Sequence, residues 1–140
     1  MRSLTTAADR FRAAHGLPAV LDAACDAFEQ ILAVIAACED TGPGMAIAVL
    51  FAATQAANGR DAMLFAPSLP PTALHAPAPA GEQPQGNGHD LKAAMATLAG
   101  LLADRLGHTA TTAGGADRAA CHDAAACATR IHDLLTRPGP

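Results

Sequence analysis

The chain has 140 residues, enough for one domain, and hydrophobic residues make up 51% of it. Alanine supplies 37 of these, while Leu, Ile, Val and Phe together number 26, near the lower limit for a self-sufficient core. A formal net charge of −4, scattered Arg and the absence of Trp and Tyr exclude the basic, aromatic-lined stripe that nucleic-acid binding uses.

Met1 to Gly16 carries Asp9, Arg10 and Arg12 and has no apolar h-region, so it does not read as a signal peptide. The longest apolar runs are about a dozen residues, too short to span a bilayer. The expected location is therefore the cytoplasm, with no membrane partner. A single Lys beside abundant Ala, Arg, Gly and Pro indicates a high-GC, bacterial coding bias.

Thr5 and Thr6 can cap a first helix over about residues 5–15, which Gly16 ends. Pro18 suits the first turn of a second helix, about 18–39. Its seam is Leu21, Ala24, Phe28, Ile31, Ile35 and Cys38, at unbroken three-four spacing. Thr41-Gly42-Pro43-Gly44 is a turn.

The third helix, about 45–66, carries the most informative pattern. Ile47, Phe51, Thr54, Asn58, Asp61 and Phe65 recur at spacings of four and three, as a core-facing seam should. Yet its middle is polar, and buried polar groups need partners. Six Pro and three Gly then mark a linker over about residues 67–89, to which Leu69 and Leu74 can give anchors. The fourth helix, about 90–106, has a seam of Leu91, Met95, Leu98, Leu102 and Arg105, and Gly107 is expected to end it. The fifth, about 117–137, is capped by Asp117 and has a seam of Cys121, Ala124, Ala128, Ile131 and Leu135. No alternation of strand type and no repeat occurs. The expected fold is a single domain over residues 1–140. It is an all-α, four- to five-helix bundle with a long Pro/Gly-rich linker between the third and fourth helices.

Three readings of the polar stripe compete. In one, Thr54, Asn58 and Asp61 form a ligand pocket within the bundle. Gln55 and Arg60 flank it, Phe51 and Phe65 close it, and Arg105 reaches Asp61 from the fourth helix. In another, Asn58-Gly59 ends the helix and Asp61 caps a last turn. In the third, the helix is continuous and the polar group sets register or oligomer state.

Other candidates are weaker. Cys121 and Cys127 lie six residues apart on one helix, too far round it to share an ion or a disulfide, and His122 points elsewhere. Asp104 and His108 straddle a predicted helix end. No metal or cofactor is expected, and the four Cys are expected to be reduced. Only Ser3 and Ser68 are serines, and no nucleophile or phosphate-loop motif is present. The leading expectation is a module for homo-oligomeric assembly, most simply a homodimer, or for partner binding. The alternative is a small-molecule-binding or catalytic bundle in which Asp61 is the base or anchor and Asn58 the orienting group.

Overall fold

Hydrophobic periodicity predicts most of the architecture. The computed structural model describes residues 4–41, 47–70 and 88–136. Its helices are α1 (Leu4–Ala13), α2 (Leu17–Thr41), α3 (Ile47–Leu64), α4 (Gly88–Thr112) and α5 (Gly115–Thr136), and no strand occurs among the described residues. Gly42-Pro43-Gly44 and most of the expected linker, with Leu74, lie outside the described residues.

The predicted seams of α2 and α5 form the middle of the core. Leu21, Ala24, Phe28, Ile31 and Ile35 are buried, as are Cys121, Ala124, Ala128, Ile131 and Leu135. α2 is flanked by α1, α3 and α4, and α5 is flanked by α3 and α4. The order around the bundle is therefore α2, α3, α5, α4, with α1 laid across α2 and α4. This places α3 and α4 on opposite corners. Arg10 of α1 secures the outer layer by reaching Asp22 at 2.8 Å and Asp26 at 3.3 Å on α2. Gly16, at φ +86°, makes the α1–α2 turn, where a side chain would strain the backbone.

One helix runs well past its expected end. α4 passes through Gly107 and ends at Thr112, six residues beyond the predicted end at Leu106. The threonines of its last turns keep their hydroxyls within the helix. Thr109 donates to the Arg105 carbonyl at 2.8 Å and Thr111 to the His108 carbonyl at 2.6 Å. Ala110 and Ala113 are buried there, so tertiary packing outweighs the roughly 1 kcal/mol that a mid-helix glycine costs.

α3 likewise runs unbroken through Gly59. Its buried face is not the predicted seam. It consists of Ala52, Ala56, Gly59 and Met63, with Ala66 beyond the helix end. A Cβ on Gly59 would lie 2.4 Å from Cε1 and 2.6 Å from Cζ of Phe28, whose ring is fully buried. Gly59 is thus a notch that lets the α2 ring lie on the α3 backbone. After α3 the chain is held by Ser68. Its N–H donates to one carboxylate oxygen of Asp117 at 3.0 Å and its hydroxyl to the other at 2.6 Å. Leu69 packs beside this clasp against the core, as expected.

Candidate functional site on the outer face of α3

An α-helix with a small-residue stripe on one side must present its larger residues elsewhere. On α3 they face solvent. Ile47 is 69% exposed, Phe51 58% and Phe65 81%, and Leu50 and Leu64 are exposed beside them. Thr54, Asn58 and Asp61 lie between these two apolar ends, and all three are exposed. The expectation that this stripe faces the core is therefore corrected: it lies roughly 140° around the helix from the buried face, at about 100° per residue. The physical reason has two parts. The Phe28 ring occupies the glycine notch, where a Cβ would clash with it, and turning the stripe inward would take an amide and a carboxylate out of water.

The polar residues make local bonds. Thr54 donates to the Leu50 carbonyl at 3.5 Å, and Arg60 reaches its neighbour Asp61 at 3.3 Å. Half-buried Gln55 lies on the α5 side, where its Oε1 accepts from Arg130 at 3.4 Å. Of the predicted site residues, Phe51, Thr54, Asn58, Asp61 and Phe65 do share one face, with Gln55 and Arg60 on its flanks. The reading in which Asn58-Gly59 ends the helix is corrected by the continuity of α3.

Arg105 is elsewhere, and its predicted pairing with Asp61 is corrected. Its guanidinium donates to the carbonyls of Phe11 and Ala14, at the end of α1, and stands 5.2 Å from the centroid of the Phe11 ring. It closes the C-terminus of α1, whose last carbonyls have no partner within their own helix. The opposite-corner placement of α3 and α4 is what keeps it from Asp61.

Leu50 and Leu64 belong to the exposed face but not to the predicted stripe. Their signal is present in the sequence, since α3 is apolar on more than one side.

Three thiols lie inside the bundle. Cys25, Cys121 and Cys127 are free and buried. Burial, with the carboxylates of Glu29 and Asp22 adding to it, pushes the Cys25 thiol up to about 11. Burial also raises Cys121 and Cys127. Such thiols pack as small hydrophobes, not nucleophiles. Among the described residues no group of three His, Cys, Asp or Glu is placed to hold a metal ion, and no helix is long and apolar enough to cross a membrane.

Comparison of the chain with protein-family models, with curated proteins and with solved structures gives no match.

Proposed function

We propose that this chain is a helical-bundle module for homo-oligomeric assembly or partner binding, and that the outer face of α3 is its contact surface. One observation carries this reading. The large hydrophobic side chains most exposed among the described residues, Ile47, Leu50, Phe51, Leu64 and Phe65, are all on α3 or the residue after it. Scattered exposed apolar residues are ordinary, but a group confined to one face of one helix marks an interaction surface. Each such side chain gains about 1.5–3 kcal/mol on full burial. The thin core points the same way, because Ala-faced helices bury little area within one chain.

The small-molecule reading of Thr54, Asn58 and Asp61 needs walls on more than one side. An exposed helix face offers them only once another chain is in place, so assembly is the better-supported reading. Multi-angle light scattering over a hundredfold range of concentration tests it. The native chain should show a mass that rises with concentration, and Phe51→Asp/Phe65→Asp should stay at the monomer mass. A native chain that remains monomeric and retains no partner on this face removes the proposal.

A further inference from the structure

The stripe on the outer face of α3 has a property that its composition alone does not reveal. Its spacings are four, three, four, three and four, so reversing the chain direction carries the stripe onto itself. Residues 47, 54 and 61 then occupy one heptad position of a helical seam, and 51, 58 and 65 the other. Two such seams running antiparallel meet in mixed layers, one position of each kind per layer. On that register Ile47 meets Phe65 of the partner subunit, Phe51 meets Asp61 of the partner subunit, and Thr54 meets Asn58 of the partner subunit. Each layer occurs twice about a two-fold axis. The flanking positions also match: Leu50 falls beside Leu64 of the partner subunit, and Ala57 beside its own copy.

Resting on the assembly reading above, we infer that the occupant of this face is a second copy of the chain, packed antiparallel through α3 about a two-fold axis. The apolar ends support this occupant. Four of the five exposed large hydrophobics gain a large apolar partner, and Phe51 gains the stem of Asp61, whose carboxylate stays at the rim beside Arg60. The polar middle supports it too. The Asn58 amide both donates and accepts, and the Thr54 hydroxyl does the same, so the two central layers are self-satisfying. A parallel pairing would instead place Asp61 against Asp61 of the partner subunit, and like charges in one layer disfavour it. The same antiparallel axis is isologous, as a closed dimer requires. The 18 residues of α3 give a contact about 27 Å long. One helix pair of that length lies at the low end of stable interface sizes, so association that depends on protein concentration is expected.

The experiment is sulfhydryl crosslinking of variants with one or two introduced cysteines, read against the native chain and its own four cysteines, with the linked peptides identified by mass spectrometry and the fold checked by circular dichroism. The altered side chains are exposed or at the rim, so folding should persist. Ala57→Cys should link to itself, and Ile47→Cys/Phe65→Cys should link 47 to 65 between chains, at yields at least tenfold above Ile47→Cys alone. Ile47→Cys linking to itself with equal yield would mean a parallel pair, which overturns the antiparallel arrangement while leaving assembly through α3 intact. A dimer by light scattering that gives no crosslink at any of these positions would place the interface off α3. It would overturn this inference and the choice of surface together, but not assembly itself. A chain that is monomeric at every concentration, including one that instead binds a different protein on this face, overturns the second-copy assignment.

Discussion

The two faces of α3 have the same periodicity and opposite fates. Ala52, Ala56, Gly59 and Met63 recur at spacings of four, three and four and are buried. Ile47, Phe51, Thr54, Asn58, Asp61 and Phe65 recur in the same rhythm and face outward. Side-chain size favours burying the second set, since three large hydrophobics there would each gain about 1.5–3 kcal/mol. Shape and polarity favour the first. The inner stripe lets the Phe28 ring lie against bare backbone at Gly59, and it buries no polar side chain. A stripe of small residues therefore marks a core face when its neighbour supplies the bulk.

The largest effects should come from the inner face. Phe28→Ala should cost about 3–5 kcal/mol in urea unfolding, because the ring is fully buried and its site is rigidly walled by helix backbone. Gly59→Ala separates the notch from helix propensity. Propensity alone predicts a gain of about 1 kcal/mol, and overpacking predicts a loss of about 1–3 kcal/mol. With a Cβ 2.4 Å from the Phe28 ring, the loss should win. Phe28→Leu should reduce that loss in the double variant, a coupling that a double-mutant cycle measures directly. If Gly59→Ala instead stabilises the protein, the ring does not sit in the notch and the comparison between the faces breaks.

The same contrast explains what is legible in the sequence. On α2, Leu21, Phe28, Ile31 and Ile35 stand on one unbroken stripe that holds its bulkiest apolar residues, with Asp22, Asp26 and Glu29 mostly off it, so periodicity alone finds the core face. On α5, Cys121, Ala124 and Ile131 are equally plain. α3 offers two stripes in one rhythm, and choosing between them requires knowing that Phe28 arrives opposite Gly59, which is tertiary information. The end of α4 is hidden for a related reason. Gly107 and the threonines after it are weak helix formers in isolation, and the burial of Ala110 and Ala113 decides the matter. Arg105 is visible as a charge on an apolar seam, but its partners are the Phe11 and Ala14 carbonyls, more than ninety residues away in sequence. The candidate site is half legible: its residues share one face, but that face points away from the core.

The α2–α3 seam should also report on pH. Cys25 on α2 is buried near Arg60 of α3, and its thiol is raised from 9.0 to about 11, chiefly by burial. The folded state thus holds this proton more tightly than the unfolded chain does. The sign follows from linkage: stability is full below pH 9 and falls as pH rises from about 9 through about 11. With no Tyr and a single Lys, the other side chains that titrate there are chiefly the remaining thiols, and buried Cys121 and Cys127 add to the decline in the same direction. Melting curves of the native chain should therefore decline over this range, and Cys25→Ala should flatten the decline. An unchanged slope would show that the seam does not shelter this thiol.

The smallest effect should come from the outer face, and it is the most discriminating. Asn58→Leu would be a strong perturbation at a core position, where it removes a buried amide and inserts a branched side chain into packed surroundings. On an outward face it should change the unfolding free energy of the monomer by no more than about 0.5 kcal/mol. The measurement is made by urea unfolding of the Phe51→Asp/Phe65→Asp background, which holds the chain monomeric. Against the native background the same substitution acts on association instead, because an apolar side chain would then face Thr54 of the partner subunit and leave its hydroxyl without the amide. The mass distribution or the crosslinking pattern should then shift while monomer stability does not. A change in monomer stability of about 2 kcal/mol or more, either way, would turn the polar stripe back toward the core and reverse the assignment of the two faces.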